Sequence, residues 1–378
     1  MISWPAPWIP GADHGIEPGY LPMPLVANSE LPTFDRLRAT GGMVIPIERA
    51  ERQEIRELHI GLLNMMPDKA LAATERQFFR LVGESNQIAQ FYMHPFSLPE
   101  IPRNAEGRAH VDAYYRPFDE IMEEGLDALI ISGAIPGPDL SRLPFWDPLI
   151  RVIDWAYENV TSTLCSCLAT HAVLEFRHGQ KRQALAGKKW GVFSHRVTDR
   201  HHPLMNGVNT RFDVPHSRFN ELTREQFESV NMHVLAESEE AGVHLVVSAD
   251  GFRMVFFQGH PEYDEISLMK EYKREVGRFL SGEGDYYPPF PENTFTLQGQ
   301  AILDEYRERV LAAGRPGHRQ PPFPEELLLP QLDNTWHDSA EAVINNWIGM
   351  VYQLTDIDRQ RPFRAGIDPT DPLGLRRG

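Results

Sequence analysis

Apolar residues along this chain follow two alternating patterns, short continuous runs and longer stretches with helical spacing. The continuous runs predict buried strands, and the spaced stretches predict amphipathic helices, one of them begun by a capping-box pair of Thr74 and Gln77. The predicted strands are residues 58–63, 88–92, 126–133 and 161–167, and the predicted helices are residues 74–82, 148–157, 266–279 and 336–352. This alternation is typical of a doubly wound, mostly parallel α/β sheet with helices on both faces.

A different pattern marks one edge of the sheet. Two apolar segments, 243–248 and 251–257, flank the pair Asp250 and Gly251, which favours a hairpin turn, so this edge is predicted to be antiparallel. No interior linker is evident. We therefore expect a single domain over residues 31–355, between an irregular N-terminal arm at 1–30 and a flexible tail at 356–378.

Charge and cysteine content narrow the class of protein. The 378 residues include 37 Lys and Arg against 53 Asp and Glu, and the net charge of −16 argues against nucleic-acid or membrane partners. With two cysteines, no secretory leader pattern and no apolar run of membrane-spanning length, the chain is predicted to be cytoplasmic and without structural disulfides. We expect neither a metal nor a bound cofactor.

One basic segment stands out in this acidic chain. Between Arg177 and His202 only Asp199 opposes the cationic residues Arg177, Lys181, Arg182, Lys188, Lys189, Arg196 and Arg200. Such a cluster suits a polyanionic small molecule, a nucleotide or coenzyme A, and is equally typical of a solvated surface.

Cys167 lies where a strand pattern turns abruptly into small residues and then into a helical pattern. A strand–turn–helix can hold a side chain exposed at a helix N-terminus, where the helix dipole favours thiolate over thiol. Cys167 is therefore a candidate nucleophile, although a buried, unreactive cysteine is the commoner state of this residue type. Cys165, two residues earlier, has only a packing explanation.

His260 and Glu262 follow the apolar segment 254–257. Residues two apart in an extended chain project to the same side, so the carboxylate can orient the imidazole while its other nitrogen faces a nucleophile. Alone, the two are more typical of a surface hydrogen-bonded pair. Together with Cys167 they form a candidate Cys-His-Glu triad.

Four candidate site residues fall at the predicted carboxyl ends of strands, where α/β sheets form their sites: Asn64, Gly133, Cys167 and His260. We therefore expect one pocket at this edge of the sheet.

Six ordered segments, at residues 64–69, 132–134, 161–167, 188–192, 215–218 and 259–264, resemble the homoserine O-acyltransferases of the succinyltransferase type. The resemblance extends over residues 31–353 and implies a fold similar to class I glutamine amidotransferases. It implies that Cys167 is the acyl-accepting nucleophile, His260 the general base and Glu262 its orienting partner. Leu168 and His171 depart from the family pattern, which commonly has a large aromatic and a glutamine there, and so does Ile135 in place of proline.

The resemblance also assigns binding roles. The amino-acid substrate is assigned to Lys188, Ser217 and Arg274, of which Arg274 offers a fork suited to an α-carboxylate. Lys69 is a candidate for binding or polarising the acyl group. Donors to the carbonyl oxygen are expected from the backbone N–H of Leu168 and from the Gly133-Ala134 loop, and relatives imply a homodimer.

Gly137 is the position that the resemblance links to donor choice, with glycine accompanying succinyl-CoA and glutamate acetyl-CoA. The chain is therefore predicted to be a homoserine O-succinyltransferase of methionine biosynthesis, with succinyl-CoA as a co-substrate and a ping-pong mechanism through a cysteine thioester. The alternatives are acetyl-CoA as donor, serine as acceptor, an amidotransferase-like hydrolase using the same triad, and a ligand-binding protein that has lost the chemistry.

Overall fold

A computed structural model describes residues 25–52, 55–85, 89–134, 137, 139–313 and 320–377. Within these ranges the strands form one sheet and the helices cover both of its faces. The strands are β1 Leu25–Ala27, β2 Val44–Pro46, β3 Glu57–Leu63, β4 Gln90–Phe96, β5 Ala128–Ile131, β6 Ser162–Ser166, β7 Gln183–Val197, β8 Arg211–Glu221, β9 His233–Ser238, β10 Gly242–Val247 and β11 Met254–Phe257. The helices are α1 Pro32–Ala39, α2 Ile47–Ala50, α3 Asp68–Ser85, α4 Ala105–Tyr114, α5 Phe118–Glu124, α6 Trp146–Asn159, α7 Leu168–His178, α8 Arg224–Glu228, α9 Ser267–Ser281, α10 Leu297–Ala313, α11 Glu325–Leu328 and α12 His337–Leu354. None of these helices combines the length and the apolar composition that crossing a bilayer requires.

The sheet has the strand order β2-β1-β4-β3-β5-β6-β11-β10-β9-β7-β8. Neighbouring strands are parallel from β2 to β11 and antiparallel from β11 to β8. The predicted mostly parallel sheet with an antiparallel edge is confirmed. The antiparallel part is larger than the predicted hairpin, because the long β7–β8 ribbon and β9 extend it.

The central strands are apolar on both faces because each face has its own helical cover. In β6, Leu164 belongs to the core cluster that includes residues of α1, α3 and α12, whereas Cys165 belongs to the cluster of α6 and α7. Burial raises the pKa of the Cys165 thiol, so this cysteine is an unionised packing residue.

The start of the third helix differs from the prediction. The helix begins at Asp68 rather than at Thr74, and Thr74 is buried in its interior. The capping-box assignment of Thr74 and Gln77 is therefore wrong. Gln77 instead donates a hydrogen bond to Ser267 at the start of α9.

The two predicted extensions also differ from expectation. Residues 1–24 of the expected arm lie outside the described residues, but Leu25–Ala27 form β1 and pair with β2 and β4. At the other end, the predicted flexible tail packs on the domain. Phe363 is buried in the core beneath Arg253, and the hydroxyl of Thr161 donates to the Pro362 carbonyl.

Candidate functional site

Cys167 connects β6 to α7 with a backbone conformation rarely adopted by a residue with a side chain, φ 51° and ψ −105°. Its N–H donates to the Phe257 carbonyl at 2.8 Å. The buried hydroxyl of Thr170 lies 2.9 Å from the Cys165 carbonyl and 3.0 Å from the Phe257 carbonyl, tying the turn to both strands. These bonds sustain the strained turn, which has the geometry of a nucleophile elbow and leaves the thiol partly exposed.

His260 is oriented by Glu262. Oε1 of Glu262 lies 2.8 Å from Nδ1 of His260, and both side chains are buried. The backbone N–H of His260 donates to the Pro215 carbonyl at 2.8 Å. The ring of Tyr263 stacks on the imidazole with centroids 4.5 Å apart. The Cys167 side chain lies close enough to the imidazole to raise its pKa, and because Nδ1 faces Glu262 the nitrogen left to face Cys167 is Nε2.

The electrostatics of this group favour a charged imidazole. Burial opposes protonation of His260, but the Glu262 carboxylate and the Cys167 side chain outweigh burial and raise the pKa of His260 to about 10. At neutral pH His260 is therefore an imidazolium beside Cys167, the arrangement that stabilises a thiolate.

A cavity of about 620 Å³ opens above this group, a size suited to a small-molecule substrate. Gly133, Cys167 and His260 line it, so three of the four predicted strand-end residues meet in one pocket. Asn64 is fully buried instead, and its amide donates to the Leu71 carbonyl at 3.0 Å and to Tyr115 at 2.9 Å. Asn64 therefore supports the loop rather than lining the pocket.

Two of the predicted substrate residues converge on a carboxylate that the sequence did not single out. Lys188 Nζ lies 3.1 Å and Ser217 Oγ 2.6 Å from Oε2 of Glu271, and the Tyr263 hydroxyl donates to Oε1 at 2.7 Å. Burial opposes ionisation of Glu271, but Lys188 and the two hydroxyl donors lower its pKa, so it is an anion within the cavity. Arg274 lines the same cavity from its rim, with 49% of its side chain exposed.

Glu271 and Tyr263 are two cavity residues to which the sequence analysis gave no role. Glu271 lies among charged residues of an amphipathic helix, α9, where a carboxylate is most often solvated. The usable signal is that Glu271 lies three residues before Arg274, so the two share one face of the helix.

Lys69 is exposed and lines two cavities, the main one and an adjoining one of about 280 Å³. His260 also lines the adjoining cavity. Gly137 does not line the main cavity itself, but its carbonyl accepts a hydrogen bond from Arg182, which does. Its neighbours Ile135, Pro136 and Pro138 lie outside the described residues. Of the basic segment, Arg182 and Lys188 line the cavity, whereas Arg177 pairs with Asp154 at 3.0 Å.

Leu168 and Ala134, the expected donors to the carbonyl oxygen, both line the Cys167 cavity. Leu168 is the first residue of α7, and no backbone carbonyl of the described residues accepts its N–H. The Ser132 hydroxyl donates to the Gly133 carbonyl at 2.9 Å. Because the peptide between Gly133 and Ala134 is trans, the Ala134 N–H points in the direction opposite to that carbonyl. A Cβ added to Gly133 would lie 3.6 Å from Cβ of Cys167, so this loop borders the nucleophile.

Elsewhere in the described ranges, one group of side chains has the composition of a metal site. Ligand atoms of Glu84, His337 and Glu341 lie within 4.8 Å of one another on α3 and α12. None of the three lines the Cys167 cavity, and all three take part in ion pairs, such as His337 with Glu341 at 3.0 Å and Arg80 with Glu84 at 3.5 Å.

The matching family model and the relatives with high sequence identity carry the same family description. The family model described as homoserine O-succinyltransferase matches residues 24–357. A homoserine O-succinyltransferase of Nitrosococcus oceani is 67% identical over 356 residues, which cover 94% of this chain and 99% of the relative. One of Allochromatium vinosum is 64% identical over 354 residues, covering 93% and 99%. Among solved structures, a glutamine amido transferase from Methylobacillus flagellatus is similar at a TM-score of 0.43 and 14% identity, covering 78% of this chain and 95% of that protein.

Proposed function

Since this chain belongs to the homoserine O-succinyltransferase family, we propose that it transfers the succinyl group of succinyl-CoA to the hydroxyl of homoserine. The transfer proceeds in two half-reactions through a thioester on Cys167 and serves methionine biosynthesis. The observation that carries this mechanism is the nucleophile elbow at Cys167 beside an imidazole that Glu262 orients.

The first half-reaction uses the protonated state of His260. The Cys167 thiolate attacks the thioester carbonyl of succinyl-CoA, and the carbonyl oxygen gains negative charge that the N–H groups of Leu168 and Ala134 stabilise. The bond from carbon to the CoA sulfur then breaks, and the imidazolium gives its proton to the departing CoA thiolate. The raised pKa of His260 suits this step because the proton is present before the attack.

The second half-reaction uses the neutral imidazole that remains. Nε2 of His260 takes the proton of the homoserine hydroxyl while that oxygen attacks the Cys167 thioester. The bond from carbon to the Cys167 sulfur breaks, which releases O-succinylhomoserine and restores the thiolate and the imidazolium. Glu262 stabilises the imidazolium at the end of this step.

Homoserine carries an ammonium group and a carboxylate, and the cavity offers a partner for each. Glu271, an anion held by Lys188, Ser217 and Tyr263, is placed to accept hydrogen bonds from the ammonium group. Arg274 lies on the same face of α9 and offers a bidentate fork to the carboxylate. In this arrangement Lys188 is the counterion of Glu271 and positions it.

A matrix of two donors, succinyl-CoA and acetyl-CoA, against two acceptors, homoserine and serine, tests the proposal through release of free CoA thiol. We expect the highest kcat/KM with succinyl-CoA and homoserine, and parallel double-reciprocal lines when both substrates are varied. Faster turnover with acetyl-CoA or with serine would reassign the donor or the acceptor. Glutamine hydrolysis without acyl transfer would favour an amidotransferase-like hydrolase instead.

A further inference from the structure

Arg182 is a cation of the Cys167 cavity that no described carboxylate pairs with. It precedes β7, its side chain is half-buried, and it donates to the backbone carbonyl of Gly137, a neutral acceptor. Two neighbouring cations of the same cavity are paired, Lys188 with Glu271 at 3.1 Å and Arg218 with Glu221 at 3.3 Å. Partly burying a guanidinium without a paired anion costs free energy, and a bound anion would recover part of this cost.

The position of Arg182 fits an anion bonded to the nucleophile. Arg182 and Cys167 line the same cavity. Burial lowers the pKa of Arg182, and the charges of Glu175, Cys167 and Asp139 oppose this in that order. The Gly137 carbonyl engages one Nη and orients the guanidinium, which leaves other N–H groups of the fork for a ligand. Arg218 has fewer Nη donors to offer, since His216, Glu221 and the Ala241 carbonyl take three of its four Nη–H groups.

We propose that Arg182 binds the terminal carboxylate of the succinyl group, first on succinyl-CoA and then on the Cys167 thioester. This assignment rests on the proposed acyl transfer. It makes Arg182 a determinant of donor choice, because an acyl group that ends in a methyl gains nothing from the guanidinium. The competing cation is Lys69, which is exposed in the first turn of α3 and lines the same cavity.

Substitutions at Gly137 allow a second test of the proposal that leaves Arg182 itself unchanged. A Cβ built at this position would lie 2.9 Å from Cδ2 of Leu143, the end of a flexible side chain, so a larger residue can be accommodated by a small shift. A glutamate there would bring a carboxylate next to Arg182 and compete with the succinyl carboxylate. Gly137→Gln is the matched control, equal in size and without charge.

The test compares succinyl-CoA with butyryl-CoA, which has the same chain length and no carboxylate, with homoserine as acceptor. We expect Arg182→Met to lower kcat/KM for succinyl-CoA by roughly 10- to 100-fold, the effect of losing a charged hydrogen bond, and to change kcat/KM for butyryl-CoA less than about threefold. Arg182→Lys should recover part of the loss, and Gly137→Glu should reproduce it where Gly137→Gln does not. Thermal unfolding verifies that each variant is folded.

Three results would overturn the proposal. Equal losses with both donors in Arg182→Met would make Arg182 a structural residue, and the Gly137 pair decides the matter if that variant does not fold. A selective loss of succinyl-CoA activity in Lys69→Met, with Arg182→Met unaffected, would move the carboxylate site to Lys69. Absence of transfer by the wild type from any donor would overturn the proposed function, and this proposal with it.

Discussion

Oε1 of Glu262 lies 2.8 Å from Nδ1 of His260, and this contact favours the protonated state of the imidazole. The carboxylate and Cys167 together outweigh burial and raise the pKa of His260 to about 10. At neutral pH the site therefore holds an imidazolium beside Cys167, and in the proposed mechanism this imidazolium carries the proton that the leaving group takes.

Glu262→Gln should lower the pKa of His260, because it removes the largest contribution that raises it. Without the imidazolium, Cys167 loses the neighbouring positive charge that favours its nucleophilic form. We expect iodoacetamide to alkylate Cys167 at least about tenfold more slowly at neutral pH. Glu265→Gln, at an exposed position of the same loop, is the control. Identical alkylation profiles in wild type and Glu262→Gln would contradict the ion-pair description.

Glu271→Gln should impair the acceptor half-reaction selectively. The substitution keeps the size of the side chain but removes the charge that faces Lys188 and, in the proposed complex, the homoserine ammonium. KM for homoserine should rise roughly 10- to 100-fold, whereas CoA release in a single turnover without homoserine should be retained. Glu228→Gln, whose ion pair with Arg224 at 2.7 Å lies outside the cavity, should change neither quantity. An unchanged KM in Glu271→Gln would remove this carboxylate from substrate binding.

The contrast between His260 and Glu271 shows how far the sequence reaches into this site. Cys167, His260 and Glu262 were predictable because short-range spacing places them at strand ends, where parallel sheets form pockets. Glu271 meets Lys188 and Ser217 only because the β7–β8 ribbon packs against α9, and those partners are 83 and 54 residues away along the chain. No local pattern encodes that contact.

The same reasoning applies to the fold. Continuous apolar strands predicted the parallel core, since burial on both faces leaves a direct pattern in the sequence. The ordered C-terminal segment was missed because the apolar residues that anchor it to the core, Phe363, Ile367 and Leu373, are scattered through an otherwise polar stretch without a regular period. Thr74 misled the prediction because a capping-box spacing also occurs by chance inside a helix.

A chain of hydrogen bonds behind His260 fixes two buried histidines in the neutral state, and a third packs against them. Arg218 donates to Nδ1 of His216, Nε2 of His216 lies 3.1 Å from Nε2 of His195, and Nδ1 of His195 lies 2.8 Å from the Phe193 carbonyl. Each contact in this series has one donor and one acceptor, so a proton added to either imidazole would place two N–H donors against each other and break a hydrogen bond. His244 packs against both rings, and burial lowers the pKa of all three, to about 4 for His195.

The domain should therefore lose stability in mild acid. Below the ordinary histidine pKa of 6.5 the unfolded chain takes up protons that the folded chain refuses, so the free energy of unfolding falls as the pH falls. Each such histidine contributes about 1.4 kcal/mol per pH unit in this window. Urea unfolding from about pH 7 to about pH 5 measures the slope. His244→Asn should reduce the slope, and His233→Asn, at an exposed site, should not. A midpoint that is constant over this range would contradict the neutral cluster.

The most direct test of the central claim is the mass of the intact protein after incubation with succinyl-CoA alone. A thioester on Cys167 predicts one added succinyl group in the wild type and none in Cys167→Ser. Cys165→Ser, which replaces a fully buried core residue, should also gain one succinyl group. Subsequent addition of homoserine should return the mass to that of the free protein. Labelling that persists in Cys167→Ser, or an unlabelled wild type that still turns over, would contradict a Cys167 thioester.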